Sequence, residues 1–394
     1  GEVCSAMAAG NLADGLPGAI LVTNPAARVA VDQFGGEDDR IRILASRASE
    51  PAAAAADNSP GEWQLTGYVR QDGQWKQTAI MLVPIREKLF SRSRGLLETS
   101  VIADKCVFVP GLGSVGSMVA WELAKLGIMN FSLMDYERVE VANVVRHLAR
   151  IADIGRRKTE VVAEAIREKN PLARVQTSEL RIGWDTVESV RQFVRRADLV
   201  IGGADEDDAR IILNRICVEE NKPLLLPGVM PRACGGQVLL VIPRVTPCYQ
   251  CFLQSLPPEA RQREISSARP GDHHAYSDRP VVPEPGLSND IAPISQMTVK
   301  LAIQQLLAGK PSALHTLDED LVAPHYMFAN RREGAYAGLE PMKFYTGGMR
   351  IMRWYGVRRE RLPECPCCGE PQYERVLREG IPVEQRQTIS DLGI

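Results

Sequence analysis

The sequence has no excess of charge of one sign, no long apolar run, and no cysteine between Cys251 and Cys365. Its 394 residues carry a formal net charge of −2, so no overall field favours nucleic acid or an anionic membrane. No apolar run approaches the roughly 20 residues that span a bilayer, and the first residues lack the basic start of a signal peptide. We therefore expect no membrane span, no nucleic-acid partner and no signal peptide.

The nine cysteines include two Cys-x-x-Cys pairs, Cys248 with Cys251 and Cys365 with Cys368. Without export signals, this pairing favours metal binding in a reducing cytoplasm over disulfides. Four thiolates are the ligand set of a closed tetrahedral zinc site, which would tie the C-terminal residues to the sheet. Cys367 could compete with Cys368, but the two-residue spacing favours Cys368. A redox role is the alternative, although neither pair lies at a predicted strand–helix junction.

A glycine turn between a predicted strand and a predicted helix is the central feature. The apolar run at residues 107–109 predicts a strand buried on both faces, and the apolar periodicity of residues 118–126 predicts a helix. Glycines at this turn allow phosphate to approach the backbone and the N–H groups at the helix start. These glycines are Gly111, Gly113 and Gly116.

A second predicted strand, residues 129–134, ends on Asp135, 19 residues after Gly116. A carboxylate at this spacing can accept hydrogen bonds from ribose hydroxyls, so these elements together predict a nucleotide-binding βαβ unit. A cationic cluster with Arg146 and Lys158 follows the acid. It suits a triphosphate, which carries more charge close to the nucleoside. The alternative is that both cations cover a solvated helix face.

Strand and helix patterns alternate over residues 91–394 and predict an α/β fold with a Rossmann-like, mostly parallel sheet and an antiparallel extension. The helices are expected at residues 158–169, 187–196, 211–220 and 291–307, and a strand at 197–203. Residues 1–90 predict a small, mostly β accessory domain, with a hairpin turn at 71–74 and a low-complexity loop at 50–60. Its role stays open between a partner scaffold, an oligomer contact and a degraded copy of another fold.

These features resemble the ThiF/MoeB/HesA superfamily, the bacterial relatives of ubiquitin-activating enzymes, over roughly residues 90–370. The glycine turn is followed, in the order of that family, by an acid, a valine-acid pair, Asn-x-x-Arg, Gly-x-x-Lys, an Asp five residues before an Arg, and the two cysteine pairs. The resemblance implies an enzyme that uses ATP and magnesium to adenylate the C-terminal carboxylate of a small ubiquitin-like protein.

The resemblance also implies roles for single residues. Asp205 would bind magnesium, and Arg92 would reach the phosphates, often across a homodimer. The residues that would offset the negative charge of the nucleotide are Asn143, Arg146 and Lys158. Glu206 departs from the family pattern, which usually has Asn after the metal-binding Asp. The alternatives are a surface arginine at position 92 and, over residues 205–208, a polar helix N-cap with acids that favour the helix dipole.

A polar crossover segment at about residues 253–290 precedes the last long predicted helix. The resemblance implies that it holds the substrate tail over ATP, and in ubiquitin-activating enzymes it also supplies a cysteine nucleophile. This crossover has no such cysteine. Either the enzyme stops at the acyl-adenylate and passes it on directly, or the nucleophile was mutated or lies elsewhere. Transfer to a conjugating enzyme is left open. Adenylation for sulfur transfer or tRNA modification, and an inactive scaffold subunit, are the other functions left open.

Overall fold

The computed structural model divides the chain into two compact units, residues 1–85 and 86–394. The described residues are 18–23, 41–47, 63–78, 88–97, 99–256, 285–342 and 348–369. The predicted low-complexity loop at 50–60 and residues 257–284 of the predicted crossover lie outside these ranges. No helix within the described ranges combines the length and the apolar character needed to cross a membrane.

The first unit contains a four-stranded sheet. Its strands are β1 (Gly18–Thr23), β2 (Ile41–Arg47), β3 (Trp63–Gln71) and β4 (Gln74–Thr78). β1 and β2 are parallel, whereas β3 is antiparallel to both β2 and β4. Asp72 and Gly73 form the hairpin turn with φ angles of 52° and 78°, the left-handed backbone that such a two-residue turn requires. The predicted small N-terminal sheet is confirmed.

The second unit is built on an eight-stranded sheet in its described part. The strands are β5 (Cys106–Pro110), β6 (Asn130–Met134), β7 (Arg174–Ser178), β8 (Leu199–Ile201), β9 (Leu224–Val229), β10 (Gly235–Val241), β11 (His325–Ala329) and β12 (Arg353–Val357). They lie in the order β12-β11-β10-β9-β8-β5-β6-β7. The pairs from β9 to β7 are parallel, and the pairs from β9 to β12 are antiparallel. The Rossmann-like sheet with its antiparallel extension is therefore confirmed.

Helices cover both faces of this sheet. They are α1 (Ser114–Lys125), α2 (Lys158–Lys169), α3 (Val187–Arg196), α4 (Asp207–Glu219), α5 (Tyr249–Ser255), α6 (Ser288–Leu307) and α7 (Leu317–Asp320). Buried residues of α1, α2 and α6 form one core cluster, and those of α3, α4 and α5 form another. In β5, Val107 and Val109 belong to the first cluster and Phe108 to the second. Because side chains alternate along a strand, β5 is buried on both faces, as predicted.

The strand order brings the candidate site residues to one edge of the sheet. The chain runs outward from β5 through β6 to β7 and then returns to the other side of β5 with β8. Open α/β sheets bind ligands at the carboxyl ends of the strands, where the direction of strand addition reverses. The residues that follow β5 and β8 flank this position.

Candidate functional site

The glycine turn after β5 packs against the loop after β8. Gly111 has a φ angle of 88°, and a Cβ atom on it would collide with the backbone of Ala204. A Cβ atom on Gly116 or on Gly203 would overlap the carbonyl oxygen of Gly111. The two loops therefore approach so closely that glycine is required where they meet.

Gly113 differs from these glycines because nothing lies within 4 Å of the position that its Cβ atom would take. Its φ angle of −73° is accessible to any residue. Gly113 directly precedes α1, and the first N–H groups of a helix have no partner within the helix. Open space beside such N–H groups suits a phosphate.

Leu112, inside the turn, is held through both of its backbone polar groups. Its N–H donates to Oδ2 of Asp135 at 2.7 Å, and its carbonyl oxygen lies 2.8 Å from Nε2 of His147. Nδ1 of His147 accepts the N–H of Ala149 at 3.0 Å, so the neutral ring carries its proton on Nε2. Burial lowers the pKa of His147, which favours that neutral ring. His147 was not predicted from the sequence, where its place beside Arg146 is the sole signal.

Asp135 directly follows β6 and is buried. Its Oδ1 atom accepts the N–H of Glu137 at 2.8 Å, so each carboxylate oxygen holds one backbone N–H. An ionised carboxylate has about four acceptor positions, which leaves capacity for ribose hydroxyls. Burial raises the pKa of Asp135, and the charge of Lys158 opposes that rise. The residue predicted to bind ribose thus also fixes the glycine turn.

Lys158 is the first residue of α2 and is buried. Its ammonium group forms an ion pair with Glu137, and its backbone N–H donates to the carbonyl oxygen of Glu137 at 3.1 Å. The alternative that Lys158 covers a solvated helix face is therefore wrong. Arg156 and Arg157, directly before it, form ion pairs with other acids. Of the three cations at residues 156–158, Lys158 is the one whose charge acts on Asp135.

Asn143 ends a short 3-10 turn, Val141–Asn143, and Arg146 follows it. The side-chain oxygen of Asn143 accepts the N–H of Glu140 at 2.9 Å. Its carbonyl oxygen accepts the N–H of Arg146 at 2.9 Å. Asn143 therefore fixes the turn that places Arg146, whose side chain is half-buried. The contacts of both residues with a nucleotide stay predictions.

Asp205 lies on the loop between β8 and α4, and Arg210 braces this loop from α4. Arg210 is buried and donates from Nε to the carbonyl oxygen of Ala204 at 3.0 Å. Glu206 occupies the N-cap position of α4. Asp207 and Asp208 lie in the first turn of α4, so the alternative of an acidic helix start describes residues 206–208. Asp205 precedes this start, and Arg210 holds the loop that carries it at the sheet edge.

The surroundings of Asp205 fit a magnesium ion. Its side chain is exposed, yet partial loss of solvent raises its pKa, and the charges of Glu137 and Glu206 raise it further while Arg210 lowers it. A divalent cation would relieve this repulsion between carboxylates, and carboxylate oxygens are ligands that magnesium takes alongside phosphate oxygens. The predicted magnesium role of Asp205 stays a prediction.

Arg92 lies in a short 3-10 turn, Ser91–Ser93, before β5 and is exposed. Within the described ranges, no hydrogen bond or ion pair joins it to the residues of the glycine turn. Arg92 therefore takes no part in the described contacts that hold the glycine turn. That Arg92 contacts the phosphates across a homodimer stays a prediction.

The four thiols predicted to bind zinc meet in one buried cluster. The Sγ atoms of Cys248, Cys251, Cys365 and Cys368 all lie within 4.8 Å of one another. Cys248 is 3.6 Å from Cys365, and Cys251 is 3.4 Å from Cys368, between sulfur atoms. A tetrahedral zinc ion with Zn–S bonds of about 2.3 Å separates neighbouring sulfurs by about 3.8 Å. The cluster could therefore hold zinc.

The remaining described cysteines lack the surroundings of an activated nucleophile. Cys367 accepts a hydrogen bond from Nδ2 of Asn214 at 3.1 Å and stands outside the four-thiol cluster. Burial raises the pKa of Cys106, Cys217 and Cys234. A thiol with a raised pKa is a poor nucleophile at neutral pH.

This sheet, with a glycine turn and acids at its carboxyl edge, defines a known class of protein. The profile of the ThiF family matches residues 88–329, which is more than half of the chain. The chain belongs to the ThiF family, and the resemblance seen in the sequence is confirmed.

Two curated relatives carry the same name. Ubiquitin-like modifier-activating enzyme 5 of Dictyostelium discoideum is 30% identical over 200 residues, which cover 43% of this chain and 52% of the relative. The Caenorhabditis elegans enzyme of that name is 32% identical over 160 residues, 38% of each chain. The chain thus spans about half the length of these relatives, or less.

Solved structures show a similar fold. A crystal structure of E. coli MccB with MccA has a TM-score of 0.50 and 19% sequence identity. The match covers 69% of this chain and 68% of that chain. At this identity, the likeness concerns the fold alone.

Proposed function

We propose that this protein uses ATP to adenylate the C-terminal carboxylate of a ubiquitin-like protein. One observation carries the proposal: the glycine turn, Asp135, Lys158 and Asp205 come together at one edge of the sheet. Membership of the ThiF family supports the same reaction. The relatives, named as activating enzymes of ubiquitin-like modifiers, support the substrate class.

In the proposed reaction, a carboxylate oxygen of the substrate attacks the α-phosphorus of ATP. A new oxygen–phosphorus bond forms, the bond from the α-phosphorus to the oxygen bridging the β-phosphate breaks, and pyrophosphate leaves with that electron pair. The products are an acyl-adenylate and pyrophosphate. Because the protein takes no covalent part, positioning and charge neutralisation determine the rate.

The chain supplies both contributions from residues already described. The backbone at Gly113 and the start of α1 would receive phosphate oxygens, and Asp135 would hold the ribose. Lys158 and Arg146 would offset the charge of the phosphates as the bond to pyrophosphate breaks. Magnesium held by Asp205 would supply further positive charge to the phosphate oxygens.

The position and surroundings of the cysteines bear on what happens to the acyl-adenylate. No cysteine lies between Cys251 and Cys365, and the described thiols outside the four-thiol cluster have surroundings that disfavour nucleophilic attack. The proposal is therefore that the adenylate passes directly to an acceptor such as a conjugating enzyme. A homodimer in which Arg92 reaches the phosphates of the partner, a structural zinc ion and a cytoplasmic location complete the proposal.

The test is ATP–pyrophosphate exchange that depends on a ubiquitin-like protein ending in glycine. The Asp205→Ala variant should lose exchange by about 100-fold or more, because a cation that neutralises phosphate charge is lost with its ligand. Asp208→Ala, an exposed acid in the first turn of α4, is the matched control and should keep exchange. Both variants should show the thermal unfolding of the unmodified protein.

Full exchange by Asp205→Ala would refute the role of that residue. If calorimetry showed that the unmodified protein binds NAD and ignores ATP with magnesium, the proposed activity itself would fail.

A further inference from the structure

Arg181 and Glu206 form an ion pair across the carboxyl edge of the sheet. Nη2 and Nε of Arg181 lie 2.8 Å and 3.3 Å from Oε2 of Glu206. Arg181 follows β7 and Glu206 follows β8, and β5 and β6 lie between these strands in the sheet. Three strand spacings of about 4.8 Å separate β7 and β8 by about 14 Å. The pair therefore bridges the ends of the two strands that carry the glycine turn and Asp135.

Tyr136 joins this pair to the middle of the edge. Its hydroxyl donates to Oε1 of Glu206 at 3.3 Å, and Cζ of Arg181 lies 5.8 Å from the centre of its ring. The carbonyl oxygen of Tyr136 accepts from Nη1 of Arg157 at 3.0 Å. Nη2 of Arg157 pairs with Glu179 at 2.9 Å. Side chains thus connect the loops that follow β6, β7 and β8.

The same contacts explain the departure of Glu206 from the family pattern. Glu206 stands directly after Asp205, the acid predicted to bind magnesium, and a second negative charge there would repel phosphate. The guanidinium of Arg181 compensates that charge, and the hydroxyl of Tyr136 satisfies the other carboxylate oxygen. The side chain of Glu206 is 17% exposed and that of Arg181 is 60% exposed, so the pair has an inner acid and an outer cation.

The position of the Arg181–Glu206 ion pair indicates which part of a bound nucleotide would lie beside it. Asp135 and Tyr136 follow β6, and the glycine turn follows the neighbouring strand β5. A nucleotide with its phosphates on the glycine turn and its ribose on Asp135 extends from β5 across β6. Its base is then the part nearest to Tyr136 and to the loop after β7.

We propose that Arg181, Glu206 and Tyr136 form a clasp that closes the nucleobase end of the nucleotide site. The clasp rests on the proposed function, since it requires ATP to bind with its ribose on Asp135. Its members are positioning residues that hold the adenosine half of the ligand and leave the phosphates to the glycine turn and Lys158. An ion pair this exposed is weak, so the clasp can open for nucleotide entry and release.

Calorimetry with two ligands tests the clasp. Magnesium-ATP has a base and a ribose, whereas magnesium tripolyphosphate has neither. The readout is the ratio of the two Kd values, because a lost charge affects both ligands and a lost clasp affects ATP alone. Arg181→Ala should shift this ratio against ATP by about five-fold, a factor that corresponds to about 1 kcal/mol. Tyr136→Phe, which removes only the hydroxyl, should shift it by about two-fold.

Four further variants separate the clasp from other effects. Glu206→Gln and the double variant with Arg181→Ala should each give the same ratio as Arg181→Ala, because all three break one contact. Arg146→Gln, which removes a charge proposed to act on the phosphates and not on the ribose, should weaken both ligands and leave the ratio unchanged. Arg215→Ala is the matched control: its side chain is 62% exposed and pairs with Glu219 at 2.9 Å on α4, and its loss should change neither Kd.

An unchanged ratio in Arg181→Ala, or additive shifts in the double variant, would overturn the clasp. Absence of ATP binding by the unmodified protein would overturn the proposed function as well. If the unmodified protein binds ATP and every clasp variant keeps the same ratio of the two Kd values, the clasp alone would be overturned.

Discussion

The imidazole of His147 donates a hydrogen bond of 2.8 Å to the carbonyl oxygen of Leu112, 35 residues earlier in the chain. The N–H of the same leucine donates to Asp135, so the two successive peptide units that meet at Leu112 are both held in place. A turn held in this way keeps its shape without a ligand, and a preorganised site loses less conformational freedom on binding.

Replacing His147 with phenylalanine should leave a buried carbonyl oxygen without its donor. The expected loss is about 1–3 kcal/mol in the free energy of unfolding, measured by urea denaturation, together with weaker ATP binding. His147→Gln keeps an N–H donor at a similar reach and should retain more of both. His315→Gln, at an exposed histidine, is the control. A phenylalanine variant as stable as the unmodified protein would contradict this role of His147.

Two alanine substitutions in the glycine turn should have opposite consequences. Gly113→Ala should fold normally, since its φ angle is −73° and its Cβ position is open, but should bind ATP about ten-fold more weakly because the methyl group occupies the phosphate position. Gly111→Ala should unfold more easily, because its φ angle of 88° and the contact with Ala204 both exclude a side chain. Urea denaturation and calorimetry separate the two effects. Equal stability of the two variants would show that the turn is not packed as described.

His325 should make the stability depend on pH. It is fully buried, its Nε2 lies 3.0 Å from Oε1 of Gln237, and its Nδ1 accepts from Nε of Arg359 at 3.0 Å. Burial and the charge of Arg359 lower its pKa to about 4. The unfolded chain takes up this proton near pH 6.5. As the pH falls from about 6.5 to about 4, the unfolded state therefore binds more protons and stability is lost, by up to about 3 kcal/mol.

Urea denaturation of the unmodified protein and of His325→Gln at several pH values in this window measures that contribution. The difference between their unfolding free energies should shrink as the pH falls, since the variant has no proton to bind at this position. A constant difference would mean that His325 titrates alike in both states.

Zinc binding should depend on the four cysteines of the cluster and not on the neighbouring Cys367. Cys368→Ser should lose bound zinc, measured by elemental analysis, and should unfold with a free energy lower by about 3 kcal/mol or more. Cys367→Ser should keep the metal, since its sulfur lies outside the cluster and accepts from Asn214. If the zinc content of both variants were equal, the assignment of ligands would be wrong.

Much of the fold could be predicted because it is set by local pattern. α2 and α3 begin and end at the predicted residues, since apolar periodicity runs through the whole of each helix. α4 was predicted to begin at residue 211 but begins at Asp207. Its first turn is acidic and carries no apolar period, although acids there favour the helix dipole.

The side-chain contacts that shape the site could not be predicted in the same way. The pairs Leu112–His147 and Arg181–Glu206 join residues that are far apart in sequence and meet only through the strand order. Sequence motifs gave the types and spacing of the glycines and acids, which chemistry constrains directly. They gave no sign of the residues that hold those groups in place, because such contacts depend on tertiary packing.

Gly203 belongs to no nucleotide-binding motif, yet a single added methyl group there would push against the carbonyl oxygen of Gly111. Among homologous chains, a substitution at one of these positions should thus be accompanied by a compensating change at the other. Covariation between positions 111 and 203 would then mark the close approach of the two loops, even in ThiF-family chains that have lost the glycine motif.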